Sequence, residues 1–169
     1  MRALIVYESM FGNTEVIARA IADGLAAETE VVNVDDAPDA LAGFDLLVVG
    51  GPTHVHGMSR ASTRKSAQDQ ASDGVRSRKG IRDWLDSLKP APAGLAAATF
   101  DTRIGKPRWL TGSAAVGAAK ALKRRHIRVI AKPESFYVNT ATPPELGGDE
   151  RARAQEWGRS IATETAEKS

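Results

Sequence analysis

Ala3-Leu4-Ile5-Val6-Tyr7, then Glu8-Ser9-Met10-Phe11-Gly12-Asn13, then Thr14 followed by Val16, Ile17, Ala20, Ile21, Gly24 and Leu25 decide the fold of this chain. The first five residues form a continuous apolar run, the pattern of a strand buried on both faces. The next six are turn formers. From Thr14 onward apolar residues recur at three- and four-residue spacing, the period of an amphipathic helix. A buried strand, a tight turn and a helix, in that order, open a βαβ unit.

The alternation continues outward. Glu30-Val31-Val32-Asn33-Val34 reads as a second strand, and Ala37 to Ala42 as a short helix or turn introduced by Asp36. Asp45 to Pro52 is a continuous apolar strand stopped by glycine and proline. Residues 59 to 80 are rich in Ser, Arg, Lys, Gln and Asp without sustained periodicity, and read as an exposed loop or a frayed helix. Gly80 to Leu88 is a helix closed by Lys89-Pro90, and Leu95 to Phe100 a fourth strand. Ser113 to Arg125 is an Ala-rich helix capped by Thr111-Gly112-Ser113. Ile127 to Ala131 is a fifth strand with Ser135 to Val138 as its extended continuation, and Asp149 to about Glu164 is the last helix. No repeat or linker interrupts the series, so one domain over 1–169 is expected. Its class is α/β, a doubly wound five-stranded parallel sheet with helices on both faces.

Composition excludes several classes. Of the 169 residues, 42% are apolar, too many for a disordered chain, yet no apolar run is long enough to span a membrane. The apolar start meets a polar turn too soon for a secretory signal. There is no cysteine, hence no disulfide framework and no thiol chemistry, which suits a reducing, cytoplasmic location. Lys and Arg number 23 against 21 acids, and a net charge of +2 does not by itself imply nucleic acid.

In a doubly wound sheet, ligands bind beyond the carboxyl ends of the strands, where strand order reverses. The loop after strand one is built for an anion there. The first turn of a helix leaves backbone N–H groups unpaired, and its dipole favours negative charge. Ser9 and Thr14 add hydroxyls, and Gly12 permits close approach of the backbone. The loop holds neither Lys nor Arg, nor the Gly-Lys-Ser/Thr of a P-loop, nor a Gly-x-Gly-x-x-Gly fingerprint, which argues against nucleoside triphosphates and NAD. An ordinary helix capped by Asn13 or Ser9 is the other reading of these residues.

Ser9-Met10-Phe11-Gly12-Asn13-Thr14 resembles the phosphate loop of the flavodoxin family. Gly50-Gly51-Pro52-Thr53-His54-Val55-His56-Gly57 resembles its second flavin loop. Phe100-Asp101-Thr102, with Leu110 to Ala115 after it, resembles the third loop and the following helix. Lys132 to Val138 is similar to the end of strand five in short-chain members. The resemblance implies a sheet of order 2-1-3-4-5 and one non-covalently held flavin mononucleotide (FMN). It places Ser9, Met10, Phe11, Gly12, Asn13 and Thr14 around the phosphate, and Pro52 and Thr53 beside the ribityl chain and phosphate. His54, Val55, His56 and Gly57 would border the inner edge of the ring, with Asp101, Thr102 and Arg103 on its pyrimidine side. Gly57 is the candidate for a peptide that reorients on reduction.

The chain also departs from the family pattern. The aromatic pair that often encloses the ring is not matched: the second loop offers His54 and His56, and the third only Trp109. Small electron carriers of the family are strongly acidic, whereas this chain is slightly basic. The His54/His56 pair also reads as a weak metal signal or a plain loop pair, and Trp109 as a loop anchor. Asp35-Asp36 reads as a helix cap. Arg60, Arg64, Lys65, Arg76, Arg78 and Lys79 read either as a solvated surface or as a docking segment for a redox partner protein. Three functions follow from the resemblance and its departures. They are an electron carrier, an FMN-dependent oxidoreductase acting on a quinone or protoporphyrinogen-like substrate, and a flavin-free binding module.

Overall fold

Strand β1 (Arg2–Tyr7) pairs in parallel with β2 (Glu28–Asn33) on one side and with β3 (Leu46–Pro52) on the other. The computed structural model describes residues 1–53, 58, 79–106 and 112–168. β3 pairs with β4 (Ala96–Ile104), which carries both β5 (Arg128–Val129) and β6 (Glu134–Val138) on its far side. Every pair is parallel and the order is β2-β1-β3-β4-β5, the doubly wound order expected.

The apolar runs of β1 and β3 need cover on both faces, and they have it. Ala3, Ile5, Tyr7, Leu46, Val48, Ala98 and Phe100 pack under α1 (Asn13–Leu25) and α4 (Glu150–Glu167). Leu4, Val6, Leu47, Val49 and Ala97 point the other way, against α2 (Ile81–Ser87) and α3 (Ala114–Arg124). Alternation of side chains along a strand divides one apolar run between two cores. Phe100, Phe136 and Trp157 meet edge to face at 6.1–6.3 Å between ring centroids. Gly50, opposite Phe100 in the ladder, leaves room for that ring, because a Cβ there would lie 2.0 Å from its Cζ.

α1 and α4 touch backbone to backbone. A Cβ on Gly24 would sit 1.9 Å from the carbonyl oxygen of Gln155, and one on Gly158 would sit 2.4 Å from that of Ile21. Both glycines lie inside helices, where they cost helix propensity. The close crossing is what they make possible.

The structure corrects the sequence reading in four places. β4 runs on through Asp101, Thr102 and Arg103 to Ile104, so these residues are strand and not loop. They are paired on both sides, Pro52 opposite Thr102 and Ile104 opposite Val138. The fifth strand is two strands: the partner offset on β4 is 32 at Ala96–Arg128 and 34 at Phe100–Glu134, so two extra residues bulge between them. Residues 37–42 are not helical. The helical turn is a 3₁₀ turn at Val34–Asp36, capped by Asn33, whose Oδ1 accepts the Asp35 N–H at 3.0 Å. Asp35 is therefore not the cap: its Oδ1 accepts from the Lys79 N–H at 2.6 Å. The basic run from Arg60 to Arg78 lies outside the described residues.

The outer edge of β6 is closed by the chain that follows it. The Tyr137 N–H donates to Glu150 Oε2 at 2.7 Å, the Gly147 N–H to the Tyr137 carbonyl at 3.1 Å, and Val138 bridges to Leu146. Arg153 pairs with Glu134 at 2.9 Å and Glu150 at 2.7 Å, and its guanidinium lies over the Phe136 ring. Burial pushes the Glu150 carboxyl up, but Arg153 and the Tyr137 N–H together outweigh burial and hold it below its ordinary value. The hydrogen bond to Glu150, followed by the pull of both carboxylates, holds Arg153 above its ordinary value against its own desolvation. Among the described residues, no helix is long and apolar enough to cross a membrane.

Candidate functional site

The turn between β1 and α1 is pinned from below. Ser9 is fully buried, and its Oγ accepts the Gly12 N–H at 3.0 Å. Gly12 stands at the N-cap with φ 93°, a left-handed conformation that side chains resist, and no side chain caps α1. An uncapped helix start with a left-handed residue before it offers backbone N–H groups to an anion. The one nearby acid in the turn points away: Glu8 is buried and its Oε1 accepts the Ile81 N–H at 2.9 Å on the opposite side of the sheet.

Above this turn lies a cleft of about 150 Å³ at the carboxyl ends of β1, β3 and β4. Met10, Phe11, Asn13 and Thr14 form its floor, Pro52 and Thr53 one wall, Thr102, Arg103 and Ile104 the next. Val138 and Pro144 close the fourth side. No carboxylate is among these residues, and Arg103, 3% exposed, is the cation among them. A larger groove of about 580 Å³ lies at the opposite end of the sheet, beside Phe44, Asp45 and Arg128, where this fold class does not place ligands.

Two polar links hold the cleft's walls. On one face of β4, Thr102 Oγ1 and Thr14 Oγ1 share a hydrogen bond of 2.8 Å, joining the strand tip to the first turn of α1. On the other face, Asp101 is fully buried and its Oδ2 accepts from Thr53 Oγ1 at 2.9 Å, Ser113 Oγ at 2.6 Å and the Ala115 N–H at 3.1 Å. Thr53 Oγ1 in turn accepts the Ala114 N–H at 3.0 Å, and Ser113 Oγ that of Val116 at 3.3 Å. The first N–H groups of α3 are thus satisfied within the protein. The start of α1 is not satisfied in this way.

Of the residues singled out in the sequence, Met10, Phe11, Asn13, Thr14, Pro52, Thr53, Thr102 and Arg103 meet at this cleft, with Ser9 and Gly12 shaping its floor. Asp101 turns to the start of α3 instead. His54, Val55, His56, Gly57 and Trp109 lie outside the described residues. Val138 and Pro144 carried no signal in the sequence. They reach the cleft because residues 139–149 fold back over β6, and the Asn13 Nδ2 donates to the Pro144 carbonyl at 2.8 Å.

Residues 4–68, which carry β1, the turn, α1, β2 and β3, match the family model of the flavodoxin domain. The likeness of the whole chain is one of fold, and that fold is flavodoxin-like. Solved flavodoxins share its fold from end to end. One from the domain Archaea is 18% identical with a TM-score of 0.66, covering 98% of this chain and 99% of its own. Oxidised flavodoxin 1 from Bacillus cereus is 18% identical with a TM-score of 0.65, over 99% of this chain and 98% of its own. A flavodoxin from Streptococcus pneumoniae TIGR4 is 15% identical with a TM-score of 0.66, covering 100% of both chains.

Proposed function

We propose that this chain is a member of the flavodoxin family that binds one FMN non-covalently as a single unit over residues 1–169 and passes electrons through it to a partner protein. The observation that carries the reading is the cleft itself: an uncapped helix start and two hydroxyls at one end, and the tips of β3 and β4 beside them, with no carboxylate among the described lining residues. The donor set fits a phosphate monoester. Met10, Phe11, Asn13 and Thr14 would hold the phosphate, Pro52 and Thr53 the ribityl chain, and Thr102 and Arg103 the adjoining wall. The flavin supplies the electron transfer, and the protein supplies binding, orientation and electrostatics. A cysteine-free chain of this kind suits a reducing cytoplasm.

The test is the spectrum of the purified protein. A flavin spectrum with release of stoichiometric FMN on denaturation is expected. A colourless protein that gains no flavin signal on titration with FMN would leave the flavin-free binding module. Rapid turnover with NAD(P)H and a quinone would favour the oxidoreductase reading over the carrier.

A further inference from the structure

We infer that Thr102, at the tip of β4, is a positioning residue for the phosphate end of the bound nucleotide. The inference rests on the FMN reading above and assigns Thr102 a task distinct from the ring contact its place in the third loop implies. Each threonine hydroxyl carries one proton and two lone pairs. At 2.8 Å, the bond between Thr14 Oγ1 and Thr102 Oγ1 uses one proton, whichever oxygen donates. A second proton remains. Among the described residues no other hydrogen bond is recorded for either hydroxyl, although both side chains are nearly buried, at 2% and 5% exposure.

Both threonines line the cleft, so the remaining proton is available to an acceptor held there. Among the described residues no carboxylate lines the cleft. Thr14 stands in the first turn of α1, where the helix dipole and unpaired N–H groups favour an anion. With Thr102 donating to Thr14, and Thr14 donating onward, each bond polarises the next and the terminal O–H becomes a stronger donor. The arrangement serves a phosphate oxygen. A neutral sugar hydroxyl or a ring carbonyl gains less from it, because hydrogen bonds to charged groups are the stronger ones.

The experiment compares FMN with riboflavin, which lacks only the phosphate, on wild type, Thr102→Val and Thr102→Ser. Affinities come from quenching of flavin fluorescence, and the ³¹P resonance of bound FMN reports the phosphate directly. Loss of the hydroxyl that orients and polarises the Thr14 donor predicts that Thr102→Val weakens FMN by about three-fold or more and moves the ³¹P resonance, while riboflavin changes by less than about two-fold. Thr102→Ser keeps the hydroxyl and stays within about two-fold of wild type for both flavins. Equal weakening of FMN and riboflavin by Thr102→Val would show a general packing defect and overturn the assignment. So would an unchanged FMN affinity. A wild-type chain that binds neither flavin would overturn the FMN reading, and this inference with it.

Discussion

Thr53 gives its hydroxyl proton to Asp101 at 2.9 Å and takes the Ala114 N–H at 3.0 Å, so one side chain ties the tips of β3 and β4 to the start of α3. Two further donors, Ser113 Oγ and the Ala115 N–H, converge on the same Asp101 oxygen. Removing the acceptor strands all three in a buried place. Asp101→Ala is expected to lower the free energy of unfolding by about 2–4 kcal/mol, since each stranded buried donor costs on the order of 1 kcal/mol or more. Urea unfolding measures it. A variant as stable as wild type would show that the network clamps nothing.

Thr14→Glu puts a carboxylate at the start of α1, where it repels a phosphate and takes up the N–H groups meant for it. A like charge at a binding site costs several kcal/mol, so FMN affinity is expected to fall by about 100-fold or more. The helix dipole favours an acid there but the position is nearly buried and bonded to Thr102, so circular dichroism of the variant accompanies the titration. Full retention of FMN in titration would move the phosphate elsewhere.

Gly158→Ala sets a helix-propensity gain of about 1 kcal/mol against a new Cβ 2.4 Å from the Ile21 carbonyl oxygen. The neighbour is backbone and cannot swing aside. We expect the clash to win, with a net loss of about 2–3 kcal/mol, in the range of overpacked cores. Gly24→Ala, whose Cβ would meet Gln155 at 1.9 Å, is expected to be at least as costly. Thermal melts of the two variants decide the matter, and a raised melting temperature in either would contradict the close crossing.

Acid should loosen the outer edge of the sheet. Glu150 titrates below its ordinary value when folded, so it contributes stability that is present above its unfolded pKa and lost as pH falls through its folded one. The decline should begin near pH 5 and continue below about pH 4, the range in which glutamates with depressed pKa values take up protons. Glu150→Gln should be less stable than wild type at pH 7 and show a shallower loss over that acid range. Parallel pH–stability curves for the two proteins would remove Glu150 from this role.

The apolar runs made β1 and β3 legible, because strands buried on both faces leave no polar position to blur the pattern. β4 was legible only to Phe100. Beyond it Asp101, Thr102 and Arg103 look like loop, and their partners, Thr14, Thr53, Ser113 and Ala115, are distant in the sequence. The turn between β1 and α1 was recognisable from its own residues, since a helix start is a local object. The fourth wall of the cleft was not. Val138 and Pro144 reach it because Asn139 Oδ1 accepts the Ala141 and Glu145 N–H groups and Asn13 Nδ2 donates to the Pro144 carbonyl, links that follow no periodic pattern in the sequence. Gly24 and Gly158 read as unremarkable helix positions, because a close crossing of two helices is set by both at once.

The pairing of α1 with α4 joins residues 13–25 to residues 150–167. As the chain leaves the ribosome, β1, α1, β2 and β3 are all made before α4 exists. Until then, Ile17, Ile21 and Leu25 lack the partners Ala154 and Ile161, and the apolar side of the sheet that α4 covers stays open to water. Contacts of such long sequence separation close late and slowly. A nascent chain arrested anywhere before residue 150 therefore exposes a sticky half-sheet, so the final eighteen-residue helix decides when synthesis yields a folded protein.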